Sequence, residues 1–451
     1  MVRKALAGMS DGEIVSGYFL DPCNGAGAFA FAFLEELLAR FPEKVAAEVF
    51  SLGFATFEID PKADVAFLEA LFSEYPGIPA PKMRSGNALS FTADEGKKLF
   101  GDPSFSGFSA VFGNPPYGIR LPDDGKALAK ETGVPMPADS YGLFFAKFVP
   151  MLAGPGNLVF VTPKTFMNSK SFGPLRASML VGRVSEITEC PKDAFKNREN
   201  GLSPSVETAI AVVSPKRVGE VVVVDASKSK FSETGTDWSE CPTFSVDYST
   251  VMASRGNPVS KELADPEVAF VLTAPKLPKV SDLFVSSMGI KTADNAKFVL
   301  PEPVHGSIPF HKGTSREQQR GKSTPVGFLD MERFVRERPK NSSLPRAEFL
   351  NPSVPRVGVP EIGHAGESRA FPIGKDAVSN SVWIYVPKAS GAEAVRDAKR
   401  LTELLNSPLY AKISRAYSNG FRLEKHEIDS FPFVPAIGKA GSIRESKNLT
   451  N

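Results

Sequence analysis

Residues 16–41 read SGYFLDPCNGAGAFAFAFLEELLARF. The apolar run at 16–22 predicts a strand, and the apolar stretch at 28–41 predicts a helix. Between them, Gly25 and Gly27 allow a tight turn and a close approach of the backbone to a ligand, and the helix N-terminus faces the same spot. The spacing lacks the third glycine of the dinucleotide fingerprint, so the pair alone is a weak signal. The stretch as a whole favours an α/β fold.

Further strand candidates follow at regular intervals along the first half of the chain. They are apolar runs bounded by turn-forming residues, and helix-like stretches at 139–152 and 172–180 lie among them. The strand candidates are 54–61, 82–89, 108–113, 157–163, 183–191 and 207–214, with an edge strand at 219–227. This alternation predicts a doubly wound, mostly parallel sheet with helices on both faces.

Polar residues stand at the ends of the second and third strand candidates. Glu58 closes the second strand, where an acidic side chain can accept hydrogen bonds from both ribose hydroxyls, and the adjacent Ile59 can pack on a purine. Asn87 follows the third strand, and its amide can hydrogen-bond an adenine edge. These residues imply a cofactor that contains a nucleoside.

The sequence VFGNPPYG, residues 111–118, follows the fourth strand candidate. Asn114 would sit just past the carboxyl end of that strand, where open α/β sheets bind ligands. The two prolines that follow fix φ and remove two N–H donors, so the loop presents rigid acceptors that suit an NH₂ group. Tyr117 offers an aromatic face to a planar base or amide. A proline-rich turn beside a core tyrosine is the other reading of these four residues.

Six segments, in their order and spacing, resemble the successive motifs of S-adenosylmethionine-dependent N6-adenine DNA methyltransferases of the gamma arrangement. They are DPCNGAGAF, FEIDP, SGNAL, GNPPYG, NLVFVTP and ETAIAVV. Residues 286–300 and 401–433 resemble the target-recognition domain of Taq-type restriction-modification methylases. The resemblance implies a Rossmann-like class I methyltransferase sheet followed by a C-terminal mixed α+β target-recognition domain.

The resemblance also implies which residues hold the cofactor, S-adenosylmethionine. Glu58 would hold the ribose hydroxyls and Ile59 would pack on the cofactor adenine, while Asn87 stands where the family more often has Asp. The side chain of Asn87 is uncharged but still able to accept a hydrogen bond. The full implied set is Asp21, Cys23, Gly25, Gly27, Glu58, Ile59, Asn87 and Ala88.

On the target side, the resemblance implies that Asn114 and the Pro115 carbonyl accept the two hydrogens of the target amino group. Two fixed acceptors favour a pyramidal nitrogen, whose lone pair is then free to attack the sulfonium methyl. The adenine must first be rotated out of the DNA helix, and Tyr117 would stack on it. The implied catalytic residues are Asn114, Pro115, Pro116 and Tyr117. Phe195 and Leu202 are both candidates for a further contact with the base edge.

One departure concerns the N-terminus. The family places a short helix before the glycine loop, and here only MVRKALAGMSDGEIVSG precedes Tyr18. That helix is therefore expected to be absent or truncated, which leaves the cofactor site open on one side, completed by another chain, or defective. Two alternatives to a DNA adenine methyltransferase stay open: methylation of another amino group, in RNA guanine or protein glutamine, and a catalytically impaired DNA-binding relic.

The distribution of charge favours a nucleic-acid partner. Residues 251–451 hold 29 Lys and Arg against 21 Asp and Glu, a net +8, whereas residues 1–250 hold the other 24 and 30, a net −6. A basic half suits a polyanion, here double-stranded DNA. The expected domains are a catalytic domain at 1–245, a linker at 246–280 and a DNA target-recognition domain at 281–451.

Composition excludes several other classes of protein. The 3 cysteines and 4 histidines show no disulfide or metal-ligand spacing, so no metal is expected. No apolar run is long enough to span a bilayer and no leader is visible, so a cytoplasmic protein without a membrane partner is expected. Neither half contains a nuclease constellation of spaced carboxylates and lysine. A cognate restriction endonuclease would therefore be a separate partner.

Overall fold

The computed structural model of the chain divides into two compact units, Met1–Lys261 and Glu262–Asn451. Each unit has its own sheets and its own core, and each is described separately below. The structure describes residues 1–118, 127, 130, 139–191, 194, 206–229, 238, 240–254, 256–274, 277–313, 325–361, 370–417 and 425–434.

The first unit is built on a nine-stranded sheet in the order β3-β2-β1-β4-β5-β7-β6-β8-β9. Strands β1 to β5 are parallel to one another, whereas β7 is antiparallel to both of its neighbours and β9 is antiparallel to β8. The strands are Phe19–Asp21, Phe54–Glu58, Lys82–Ser85, Ala110–Gly113, Leu158–Pro163, Val184–Glu189, Thr208–Val213, Glu220–Asp225 and Thr243–Asp247, numbered β1 to β9 in chain order. The predicted strands are confirmed with shorter ends, but the strand predicted at the edge, β8, lies between β6 and β9, because the unpredicted strand β9 pairs with its outer side.

Helices connect the parallel strands of this sheet. The predicted helix after the glycine loop spans Ala28–Arg40, and the one after the Asn-Pro-Pro-Tyr loop spans Tyr141–Phe148. The other helices and helical turns of the unit are Val2–Ala5, Asp11–Val15, Glu43–Glu48, Val49–Gly53, Pro61–Glu74, Ala88–Ser90, Ala93–Phe100, Thr165–Asn168, Lys170–Phe172, Gly173–Leu175, Arg176–Leu180 and Tyr248–Ala253. The doubly wound fold class predicted from the sequence is confirmed.

Aromatic packing holds the helix Ala28–Arg40 on the sheet. Phe33 is fully buried, and its ring lies 4.8 to 5.4 Å from the rings of Phe19, Phe54 and Phe112, which belong to three adjacent strands. Aromatic rings at such distances add attraction beyond the area they bury. This packing fixes the N-terminus of the helix over the carboxyl edge of the sheet.

The second unit contains two four-stranded sheets with helices around them. Their orders are β10-β17-β14-β15 and β11-β13-β12-β16. These strands are Phe284–Met288, Val299–Leu300, Ile308–His311, Gly327–Leu329, Val357–Pro360, Phe371–Pro372, Ala377–Val378 and Val382–Pro387, numbered β10 to β17. The helices are Pro266–Thr273, Val280–Leu283, Asn295–Phe298, Met331–Arg336, Ala347–Leu350, Gly391–Leu405, Pro408–Tyr417 and Lys425–Ser430, and a helical turn spans Lys261–Ala264.

The border between the units, after Lys261, lies within the predicted linker at 246–280. Residues up to Lys261 belong to the first unit, where Tyr248 is buried and its hydroxyl donates to the Val184 carbonyl at 2.7 Å. The helix Val280–Leu283 packs against the helix Lys425–Ser430 in the second unit. None of the helices in the described ranges combines the length and apolar character that a membrane span requires.

Candidate functional site

The Asn-Pro-Pro-Tyr loop leaves the sheet at its centre. Strand β4 lies between β1 and β5, so Asn114 emerges beside the end of β1. The Asn114 Oδ1 atom is buried and accepts no hydrogen bond from the described residues. A buried acceptor without a partner carries a desolvation penalty of about 1–3 kcal/mol. Such an atom is expected where a ligand N–H completes the site.

Two residues that sequence reasoning missed hold this loop. The Ser140 hydroxyl donates to the Pro116 carbonyl at 2.6 Å, and the Gly118 N–H donates to Asp139 Oδ1 at 2.7 Å. Ser140 stands at the N-cap position of the helix Tyr141–Phe148 but makes no capping bond to that helix. The Asp-Ser pair before an apolar helix is a helix-start signal. That signal points to Asp139 and Ser140, but it does not predict their hydrogen bonds to Gly118 and Pro116.

Asp21 closes β1 and is fully buried. Its Oδ1 accepts from the Cys23 N–H at 3.0 Å, whereas its Oδ2 is buried without a partner among the described residues. Burial raises the pKa of Asp21 to about 7, with the hydrogen bond from Cys23 opposing this shift and the charge of Glu58 adding to it. A Cβ at Gly113 would lie 2.7 Å from Asp21 Oδ1. Only glycine at that position lets the two strand ends approach so closely.

The glycine loop turns as the sequence predicts. Gly25 and Gly27 both have positive φ, 53° and 88°. A Cβ at Gly27 would lie 2.1 Å from the Phe67 ring, so glycine is required there for space as well as for conformation. Asn24, which sequence reasoning did not single out, is 4% exposed and has an unpartnered, buried Oδ1 among the described residues. The glycine loop therefore contributes an unfilled acceptor in addition to Asn114 Oδ1 and Asp21 Oδ2.

Glu58 at the end of β2 braces the surrounding loops. Its Oε2 accepts from the Gly25 N–H at 2.8 Å, and its Oε1 accepts from the N–H groups of Ile59 at 2.8 Å and Asp60 at 2.9 Å. A carboxylate offers about four lone-pair sites, so about one remains for a ligand while these bonds persist. The carboxylate has a structural role in addition to the ribose contact expected from the sequence. Ile59 beside it is 71% exposed, an unusual state for a large apolar side chain.

Asn87 also bonds to its own chain. Its Oδ1 accepts from the Leu89 N–H at 3.0 Å and caps the short helical turn Ala88–Ser90. The Gly86 N–H donates to the Glu58 carbonyl at 2.8 Å, which joins this loop to the end of β2. An Asn fills the capping role as well as an Asp does. The substitution relative to the family pattern therefore leaves the local backbone intact.

These loops enclose a cavity of about 560 Å³ at the carboxyl edge of the sheet. Pockets of about 300–1,000 Å³ are typical for cofactors and drug-sized ligands. The lining includes the predicted residues Cys23, Gly25, Glu58, Ile59, Asn87, Ala88, Asn114 and Pro116. It also includes residues not predicted: Pro22, Asn24, Ala26, Ala28, Phe29, Phe57, Gly86, Leu89, Ser140 and Phe144.

The remaining predicted site residues lie outside that lining. These residues are close in sequence to residues that line the cavity but do not line it themselves. They are Asp21, Gly27, Pro115 and Tyr117. Tyr117 is partly exposed, and burial, followed by the charge of Asp139, raises the pKa of its hydroxyl. Phe195 and Leu202 lie outside the described residues, so the contact to the base edge stays a prediction.

Residues 1–17 lie at the opposite edge of the sheet. The Asn157 side chain donates to the Lys4 carbonyl at 3.0 Å and the Asn157 N–H donates to the Ala5 carbonyl at 2.8 Å, just before β5 begins. Asp11 forms an ion pair with Arg40, the last residue of the helix Ala28–Arg40. None of residues 1–17 lines the cavity. The expectation of a cofactor site that is open, completed by another chain or defective stays a prediction.

The sheet order, with its antiparallel seventh strand and a cavity at the carboxyl ends of β1, β2 and β4, defines a class I methyltransferase fold. The family model described as the Eco57I restriction-modification methylase matches residues 65–195, which include the Asn-Pro-Pro-Tyr loop. The resemblance to restriction-modification methylases is thereby confirmed.

Known proteins extend the comparison. The type II methyltransferase M.VspI of Vibrio sp. (strain 343) is 24% identical over 308 residues, 66% of this chain and 64% of that protein. The solved type IIL restriction-modification enzyme MmeI in complex with DNA has a TM-score of 0.54 and 13% identity, covering 94% of this chain and 62% of its own. A nuclease-deletion mutant of the type ISP enzyme LlaGI has a TM-score of 0.54 and 15% identity. The match covers 98% of this chain and 44% of the LlaGI chain. The chain spans less than two thirds of the length of each.

Proposed function

We propose that this chain is a site-specific DNA methyltransferase that transfers the methyl group of S-adenosylmethionine to N6 of adenine in double-stranded DNA. The observation that carries the proposal is Asn114 Oδ1, a buried acceptor without a partner among the described residues, in the lining of the cavity. Pro115 and Pro116 follow it and have no N–H to compete for acceptors. An exocyclic NH₂ group is the ligand that such a site suits.

The cavity fits the cofactor in three respects. The Oδ1 atom of Asn24, an unfilled acceptor among the described residues, lies in the cavity lining and is suited to the ammonium of a methionine moiety, and the unfilled Oδ2 atom of Asp21 lies nearby in the chain but outside that lining. Glu58 retains about one lone-pair site for a ribose hydroxyl. Exposed Ile59 offers an apolar surface to the adenine ring. When bound there, S-adenosylmethionine supplies an electrophilic methyl group and its leaving group.

The residues of the chain then act by positioning. Asn114 Oδ1 and the Pro115 carbonyl each accept one hydrogen of the target amine, which favours a pyramidal nitrogen with an available lone pair. The proton can leave after methyl transfer, so the site needs no strong base. Tyr117 stacks on the extruded base and compensates about 1–3 kcal/mol of lost stacking.

A nucleic acid is favoured over a protein glutamine by charge. Residues 251–451 carry a net +8, which suits a polyanion. The solved structure of MmeI is a complex with DNA, and that of LlaGI is a complex with a DNA substrate mimic. Adenine is favoured by the likeness of the GNPPYG segment to the N6-adenine family. A cognate restriction endonuclease remains a proposed partner.

The test compares Asn114→Ala with a matched control in the full chain. Asn168→Ala is the control, because Asn168 Oδ1 is also buried and unpartnered among the described residues but does not line the cavity. Loss of one aligned hydrogen-bonding group costs about 10²–10³ in rate. We expect Asn114→Ala to lose at least that factor in kcat with an unchanged Kd for S-adenosylmethionine, and Asn168→Ala to retain activity.

The product identifies the substrate. DNA from cells expressing the wild-type chain is digested to nucleosides and examined by mass spectrometry for N6-methyladenine. Methylated cytosine in its place would refute adenine as the target. Methyl transfer to RNA or protein but not to DNA would refute the DNA assignment, and full turnover by Asn114→Ala would refute the role of Asn114.

A further inference from the structure

The acceptors of the Asn-Pro-Pro-Tyr loop differ in whether they are already occupied. Asn114 Oδ1 has no partner among the described residues, whereas the Pro116 carbonyl accepts from the Ser140 hydroxyl at 2.6 Å. Pro115 and Pro116 have no backbone N–H to donate in a hydrogen bond, so side chains from other segments must hold the loop in place. Ser140 thus occupies the Pro116 carbonyl and leaves Asn114 Oδ1 unoccupied among the described residues.

The hydroxyl of Ser140 has only one proton to give. Its oxygen lies 2.6 Å from the Pro116 carbonyl and 3.3 Å from Asp139 Oδ1. Hydrogen bonds between oxygens have lengths of about 2.5–3.0 Å, so the proton points to Pro116. Asp139 Oδ1 instead accepts from the Gly118 N–H at 2.7 Å. Asp139 and Ser140 therefore hold the loop on both sides of Tyr117.

The base of these two contacts is rigid. Ser140 is 4% exposed and leads into the helix Tyr141–Phe148, in which all residues but one are buried. Tyr141 is fully buried, its hydroxyl lies 2.5 Å from Thr165 Oγ1, and its ring stacks on Phe172. A side chain on such a support transmits its own position to whatever it holds.

We propose that Asp139 and Ser140 are positioning residues for methyl transfer: together they clamp the segment Pro116–Gly118, so that Asn114 Oδ1 and the Pro115 carbonyl face the target amine. The proposal rests on the proposed function. The clamp acts on the chemical step, because an acceptor displaced by about 1 Å can cost about 10²-fold in rate. Its bonds end on the target loop, so the expected change in cofactor affinity is small, although Ser140 itself lines the cavity.

The clamp itself is measured by hydrogen exchange, without reference to activity. In the full chain, the peptide that contains Tyr117 and Gly118 is followed in the wild type and in Asp139→Ala, Asp139→Asn and Ser185→Ala. Ser185 is the control, since its hydroxyl also donates to a backbone carbonyl, that of Val212, away from the cavity. We expect faster exchange of the Gly118 amide in Asp139→Ala, and wild-type exchange in Asp139→Asn and Ser185→Ala. Unchanged exchange in Asp139→Ala would overturn the proposal.

Its consequence for catalysis is measured with Ser140→Ala and Ser140→Thr. We expect Ser140→Ala to lower kcat about 10- to 100-fold while KM for S-adenosylmethionine changes by less than about threefold, and Ser140→Thr to recover most of the kcat because it retains the hydroxyl. Equal losses in both variants, or a kcat of Ser140→Ala within about twofold of wild type, would overturn the proposal.

The two proposals fail in different ways. A wild-type chain that methylates no DNA would refute the proposed function, while the exchange experiment would still report whether Asp139 holds the loop. An active wild type whose turnover is insensitive to Ser140→Ala would refute the clamp and leave the proposed function standing.

Discussion

Asp21→Asn is expected to shift the stability of the first unit in favour of the variant as the pH rises. Burial, with the charge of Glu58 in addition, raises the pKa of Asp21 from 3.8 to about 7. Between these values the folded state holds a proton that the unfolded chain releases, so the wild type loses stability as the pH rises through this window. Above about 7 the loss is constant. An Asn at this position cannot ionise and avoids the loss.

The magnitude follows from the shift. Each pKa unit corresponds to about 1.4 kcal/mol, so the ionisation of Asp21 costs about 4 kcal/mol at about pH 7.5 and about 1.5 kcal/mol at about pH 5. An opposing cost comes from the Asn NH₂ group, which would replace Oδ2 at a position with no hydrogen-bond partner among the described residues. Leaving this buried group unpaired costs about 1–3 kcal/mol at every pH. The difference between the two pH values, about 2.5 kcal/mol, is independent of that constant cost.

The assay uses a tryptophan of the first unit. The chain has 2 tryptophans, and Trp238 packs against the core of this unit, so Trp383→Phe leaves Trp238 as the single fluorescent reporter. Urea unfolding of this background with and without Asp21→Asn gives the difference in unfolding free energy at each pH. Asp94→Asn is the control, because Lys97 lowers the pKa of that exposed carboxyl and the sign is reversed. An equal effect of Asp21→Asn at both pH values would refute the raised pKa.

Two further predictions concern the target side and the DNA. Tyr117→Ala should lower the rate of methylation of duplex DNA more than Tyr117→Phe, because stacking is worth about 1–3 kcal/mol and uses the ring face; equally inactive variants in a kinetic assay would show that the hydroxyl is required. Reversing the charge of Arg333, Arg336 and Arg338 together should weaken DNA binding at all sequences and flatten its salt dependence in filter binding. Glu337 pairs with Arg333 and Arg336 at 3.4 Å, so an unchanged salt slope would mean that these charges are neutralised within the protein.

The sheet was predictable because its strands carry a strong local signal. Strand β5, Leu158–Pro163, is buried at every position, so its sequence is an uninterrupted apolar run between turn residues. Strand β7, Thr208–Val213, has the same character. Strands buried on both faces require such runs. The acidic or amide residues at or after the ends of β2, β3 and β4, which are Glu58, Asn87 and Asn114, line the cavity.

Contacts between distant loops could not be predicted in the same way. Ser140 and Pro116 are 24 positions apart, and neither residue has a local pattern that names the other. Glu58 was expected to serve a ribose, and its bonds to three backbone N–H groups follow from how two loops fold around it. The border after Lys261 lies within the linker predicted at 246–280 from the polar composition after residue 245. Buried Tyr248 and Val251 nevertheless belong to the core of the first unit.

The strand order explains why the cofactor and target residues meet. From β1 the chain proceeds to β2 and β3 on one side, whereas β4 and β5 lie on the other, so the crevice between the ends of β1 and β4 is a switch point where open sheets bind ligands. Asp21 ends β1, and Gly113 ends β4 at a distance that would bring a Cβ within 2.7 Å of the carboxylate. Asn114 follows directly. Under the proposed function, a methyl donor held by the β1 loop and an amine held by the β4 loop would therefore bind at the same crevice.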